Sequence, residues 1–186
     1  MELTLSKKHE NRIEFIAKDI SNYFANMLRR YSMVKVPVLA IEKVEFYENT
    51  SAFWDEYIAH RLGLMPIVTP KKVINEEVTF YLDFEGPGIA YAKDMKSSDK
   101  DIYIAKENIP IITLGEKQRV RFEAKTALNR GTKHAKYQSG LVSYGIKNDS
   151  FNFFVESFYH MPPAEVILRA CDEIKTEINE IKKALK

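Results

Sequence analysis

Residues 131–138 read Gly-Thr-Lys-His-Ala-Lys-Tyr-Gln, with Lys133, His134 and Lys136 close behind an opening glycine. Lysine ammoniums can hold a phosphate, and a histidine can act as a general base near neutral pH. The rest of the chain offers such chemistry little support. His9, His60, His134 and His160 have no second histidine at helical i, i+4 spacing, and no HExxH zinc pattern occurs. Packing or capping is their default role. Dinucleotide-binding, P-loop and serine-elbow patterns are absent as well. Carboxylates are scattered over "FYEN", "YLDFEG" and "FVES", without the clustered aspartates of a two-metal site. The single cysteine, Cys171, excludes an intrachain disulfide and a cysteine-built zinc or iron–sulfur site. It falls beside an apolar seam, where a small buried hydrophobe is expected rather than a nucleophile. An autonomous enzyme or phosphate-ligand binder would therefore rest on 131–138 alone.

The elements that must position these residues follow from periodicity. Leu3 and Leu5, then Ile13 and Phe15, alternate with polar residues around "KKHEN", the pattern of a hairpin. Asp19 or Ser21 can cap a helix to about Met33, with Ile20, Phe24, Met27, Leu28 and Tyr31 on one stripe. "VLAIEKVEFYE" reads as a strand. Asp55 can cap a short helix, "EYIAHRL", stopped by Gly63. "MPIVTP" reads as an extended linker, and "VTFYLDF" and "GIAYA" flank a hairpin turn, "EGP". "RVRFEAKTAL" alternates cleanly, as a half-buried strand must, and "GLVSYGI" and "SFNFFVESF" are two more strands. Pro162 and Pro163 open a last helix. Its Ile167, Ala170, Ile174, Ile178, Ile181 and Leu185 form a narrow seam that suits an obligate interface. Two apolar stripes at opposite chain ends can bury each other or face a partner.

Hydrophobic residues make up 45% of the 186, enough for a packed core in one domain or two small ones. Twenty-eight basic residues against 26 acidic ones give a net charge of +2, too balanced for a dedicated nucleic-acid binder. The first residues lack the apolar run of a signal peptide, and no apolar segment reaches membrane-spanning length. A cytoplasmic protein is expected.

Three stretches, "FANMLRRYSMVKVPVLAIEKVEFYENTS", "DEYIAHRLGLMPI" and "GTKHAKYQ", together resemble the D-type subunit of archaeal RNA polymerase. That family includes the third-largest subunit of eukaryotic polymerase II and, more distantly, the bacterial α subunit. "IPIITLGEKQRVRFEAKTAL" and "FFVESFYHMPPAEVILRACDEI" also fit, in family order over about residues 20–185. The resemblance implies an α+β scaffold with no active site of its own. A discontinuous dimerisation domain, an antiparallel sheet plus two helices from both chain ends, would span 1–48 and 149–186. An inserted β-rich domain would span 49–148.

The resemblance also implies pairing with subunit L through Phe24, Met27, Leu28 and Tyr31 of the first helix and the six seam residues of the last. Subunits N and P and the second-largest catalytic subunit would follow. Contact loops are expected at Arg29, Arg30, His60, Arg61, Lys133, His134, Lys136, Tyr137 and Gln138. DNA would be met only through the assembled polymerase. Two departures stand out. Many relatives carry cysteines after the "HRLGL" landmark, for an iron–sulfur cluster or zinc, whereas "MPIVTPKKVINEEVTF" has none, so no cofactor is expected. Ser139 stands where the family loop usually runs to proline. The alternatives are the enzyme or ligand binder named above, and a homodimeric scaffold of the bacterial α type.

Overall fold

The alternation around "KKHEN" does make a hairpin: β1 (Glu2–Lys8) runs antiparallel to β2 (Arg12–Lys18). The computed structural model describes residues 1–72 and 77–185. In chain order there follow α1 (Asn22–Val34), β3 (Val38–Asn49), α2 (Asp55–Gly63), β4 (Thr79–Glu85), β5 (Gly88–Tyr91) and β6 (Lys96–Ser97). Then come β7 (Pro110–Leu114), β8 (Arg119–Asn129), β9 (Gly140–Lys147), β10 (Ser150–Ser157) and α3 (Pro163–Ala184). These form two units, one from Met1–Val38 with Arg130–Lys186, the other from Leu39–Asn129.

The discontinuous unit is built on an antiparallel sheet of order β1-β2-β10-β9. Its register lines up Leu5, Phe15, Phe153 and Tyr144 in one row across all four strands. Phe15 and Phe153 stack with ring centroids 4.8 Å apart, and Tyr144 lies 5.3 Å from Phe153. Ile13, Ala17, Val142, Phe151 and Val155 are buried on the same face. Both helices pack against this unit's sheet and against each other.

The middle unit has its own core. Its main sheet has the order β3-β8-β4-β6, beside a two-stranded β5-β7 sheet. Val120, Phe122 and Ala124 of β8 join Leu39, Ile41, Ile58, Leu62 and Phe80 in a fully buried cluster. The wet face of β8 carries Arg119, which brackets the Asp83 carboxylate with bonds of 2.8 and 2.7 Å.

By packing, the chain divides at 38/39 and 129/130, ten to twenty residues before the expected 48/49 and 148/149. The first residues of β3 already belong to the middle unit's core, and β9 pairs along its whole length with β10. The 131–138 loop thus lies in the discontinuous unit. β4 and β5 do not form a hairpin: β4 pairs with β8 and β6, and β5 with β7. A Cβ on Gly86 would lie 2.3 Å from the Gly115 carbonyl oxygen, a close approach that only glycine permits. The "MPIVTP" segment, expected as an extended linker, is packed into the middle unit: Met65, Ile67 and Thr69 are buried and Ile67 bridges to Ile104. Positions 73–76 of the family's cysteine region lie outside the described residues.

Candidate interaction surfaces

α1 begins where Ser21 caps it, its hydroxyl accepting the Phe24 amide at 3.2 Å. That start aims Ile20, Phe24 and Leu28 to one side. Facing them are Leu3 and Leu5 of β1, Phe15 of β2, and Ile167, Leu168 and Cys171 of α3. Together they line a groove of ≈ 400 Å³ whose every wall residue is apolar. Leu3, Leu5 and Leu168 are each more than half exposed. The helices therefore cover only part of the sheet's apolar face. An exposed apolar patch of this kind marks an interaction site. Cys171 sits half-buried in its wall, and burial pushes its thiol above the ordinary range, which favours the neutral, unreactive form.

The predicted seam of α3 divides. Ala170 and Ile174 face inward with Val166 and Pro163, and are buried in this chain. Ile167 lines the groove. Ile178, Ile181 and Leu185 are exposed, Ile181 by 61%. Ala170 and Ile174 are thus core residues rather than interface residues, because an α-helix turns 100° per residue and a 3.5-residue seam drifts across its surface. The α1 stripe divides likewise. Phe24 and Leu28 line the groove, Leu28 already largely buried, while Met27 and Tyr31 lie with Tyr23, Arg30 and Lys35 along a second depression.

A polar latch holds the two helices. The Tyr31 hydroxyl donates to Glu177, and the Lys35 ammonium lies 2.9 Å from the same carboxylate. Arg130 donates to Glu173 at 3.0 Å and to the Lys35 carbonyl at 3.0 Å. The Tyr31 bond first, and Lys35 second, hold the Glu177 carboxyl below the usual carboxylate range. A depressed acid contributes stability above its unfolded pKa and loses it as pH falls through the folded value. Glu177→Gln is therefore expected to cost about 0.5–1 kcal/mol at neutral pH, as a partly exposed pair does. The difference from wild type should vanish in acid. Thermal unfolding followed from pH 7 to pH 3 checks this, and a difference that persists in acid would contradict it.

The 131–138 loop is built onto the C-terminal end of α1. The Thr132 amide donates to the Val34 carbonyl at 3.3 Å. A Cβ on Gly131 would meet Met33 O and the Val34 Cα at 3.0 Å, so close backbone approach, not a left-handed turn, explains this glycine. His134 caps a 3-10 turn at Ala135–Tyr137, its Nδ1 accepting the Lys136 amide at 3.1 Å. Tyr137, expected as a contact residue, is fully buried and serves as the loop's anchor. The Lys133 and Lys136 ammoniums lie 5.8 and 5.2 Å from its ring. Gln138 is half-buried. Ser139 is also buried; its hydroxyl donates to the Ser32 carbonyl at 2.5 Å, and its carbonyl accepts the Phe158 amide at 3.1 Å. The serine thus ties the loop to α1.

Of the remaining expected contacts, Arg29 is held by Asn26 Oδ1 at 3.0 Å, and Arg30 is exposed. His60 is exposed on α2, but the Arg61 guanidinium is turned inward to the carbonyls of Pro110 at 2.6 Å and Ile111 at 3.1 Å. Among the described residues no group of three His, Cys, Asp or Glu side chains could hold a metal ion. None of their helices is long and apolar enough to cross a membrane.

A part-covered apolar sheet, a helix-mounted basic loop and an inserted β-rich unit define a protein of the interaction class. Residues 44–150 match the family described as the RNA polymerase Rpb3/RpoA insert domain. The chain belongs to the family of the archaeal DNA-directed RNA polymerase subunit Rpo3. It is 39% identical to that subunit of Methanocaldococcus jannaschii over 179 residues, covering 94% of this chain and 93% of the relative. It is 44% identical to the Pyrococcus furiosus subunit over 152 residues, or 77% of this chain. It is 43% identical to the Halobacterium salinarum subunit over 136 residues, or 73% of this chain. The chain spans only 58% and 55% of those last two relatives' lengths.

Proposed function

We propose that this chain is a non-catalytic assembly platform of an archaeal DNA-directed RNA polymerase, acting in the cytoplasm and holding no cofactor. The groove between β1, β2, α1 and α3 carries the proposal, because a wholly apolar, part-open surface on a folded unit calls for a permanent partner. The partner is a small subunit of the L type, seated on Phe24, Ile167 and Leu168 and on the exposed end of α3 at Ile178, Ile181 and Leu185. Subunits N and P and the second-largest subunit join afterwards, and DNA is met only through them. Coexpression with the small subunit, followed by mass measurement of the intact complex, is expected to give a 1:1 pair. A chain that stays alone, or pairs only with itself, would count against the reading.

Lys133 and Lys136 lie on a loop tied to α1 and its C-cap by Ser139 and Arg130. That placement suits contact with an acidic surface of the second-largest subunit. Reversing both charges, Lys133→Glu with Lys136→Glu, is expected to weaken that later step about tenfold or more while sparing the small-subunit pair, as close charge pairs at interfaces do. Native mass spectrometry of the reconstituted polymerase separates the two steps. Loss of the pair itself would show that the loop serves the first interface instead.

A further inference from the structure

Within the middle unit, the segment before α2 forms a hydrogen-bonded knot. Asn49 Nδ2 donates to the Phe53 carbonyl at 2.9 Å and to Asp55 at 2.7 Å. Ser51 donates its hydroxyl to Asn49 Oδ1 at 2.6 Å and accepts the Phe53 amide at 3.2 Å. This small rigid turn serves to hold three aromatic rings outward. Phe53 and Tyr57 stack at 4.9 Å, and the Arg61 guanidinium lies 5.9 Å from the Tyr57 ring. Trp54, the only tryptophan in the chain, is 82% exposed beside them.

A large apolar ring held in water by a rigid support costs hydrophobic free energy in the free chain, and tryptophan and tyrosine are the residues that dominate protein interfaces. We propose that Phe53, Trp54 and Tyr57 form a preorganised anchor for a basic, apolar-faced surface of another protein subunit. The sign of the partner follows from the flanks. Asp55 and Glu56 are exposed on the first turn of α2, whereas Arg61 is directed to backbone carbonyls. The inference rests on the assembly-platform reading and places the middle unit's contact on these rings rather than on His60 and Arg61.

The single tryptophan makes the test site-specific. The chain is labelled with 5-fluorotryptophan, paired with the small subunit, and reconstituted with the other, unlabelled polymerase subunits. The one fluorine signal is expected to keep its solvent isotope shift in the pair and to lose it in the full polymerase. Trp54→Ala is expected to leave the pair intact and to weaken entry into the full assembly about 30-fold, the scale of an interface hot spot. Glu56→Lys should weaken it too. A fluorine signal still in contact with solvent in the full polymerase, or normal entry of Trp54→Ala, overturns the anchor. Tighter entry of Glu56→Lys overturns the basic partner. If the wild-type chain does not enter a polymerase at all, both the anchor and the platform reading fail.

Discussion

Replacing Leu168 with aspartate is expected to abolish the pair with the small subunit while leaving the chain folded. Leu168 is 56% exposed and lines the groove opposite Leu3, Leu5 and Phe24. In the free chain the new carboxylate stays in water, so unfolding should match wild type within about 0.5 kcal/mol. In the pair the same carboxylate is trapped against apolar walls. The lost burial of a leucine removes about 2 kcal/mol, and desolvating an unpaired charge adds several more. Together they should weaken the pair about a thousandfold or more. Leu168→Met keeps volume and polarity and should pair almost normally. Copurification and titration calorimetry measure both variants. Wild-type pairing by Leu168→Asp would move the interface away from this groove.

The alternation of β1, β2 and β8 was legible because a strand with one wet face shows its period in a few residues. α1 and α3 were legible for the same reason at a longer period. What periodicity could not supply was depth. On α3, Ala170 and Ile174 look like Ile178 and Ile181 in sequence, yet the first two meet the core and the others extend past it. Leu168 lies off the seam that periodicity marks, and the hairpin's own pattern does not show which neighbour covers Leu3 and Leu5. Register decided that: Leu5 opposite Phe15 puts it in the row of Phe153 and Tyr144, on the helix side of the sheet. The unit boundary was hidden too, since β3 runs from one unit into the other without a turn. Family landmarks located the 131–138 loop, but not that Tyr137 faces inward. An aromatic at a loop's end looks the same whether it anchors the loop or meets a partner.

A second aspartate on the same helix should act in the opposite way. Ile174 lies six residues beyond Leu168, roughly 600° around the helix at 100° per residue, which turns it from the groove to the core. It is 7% exposed and continues the inner stripe of Val166 and Ala170. Ile174→Asp removes about 2–3 kcal/mol of apolar burial and leaves a carboxylate in the core without a partner, at a further cost of several kcal/mol. The sum, about 5 kcal/mol or more, approaches the whole stability of an ordinary domain. The discontinuous unit should therefore unfold with or without the small subunit, and loss of the pair would follow from loss of the fold. The middle unit, with its own core around Leu39, Ile58 and Phe122, should keep its amide protection against hydrogen exchange. Exchange followed by mass spectrometry tests both halves of this expectation. If Ile174→Asp kept wild-type protection in α1 and α3 and lost only the partner, Ile174 would belong to the interface and the inward stripe of α3 would be misplaced.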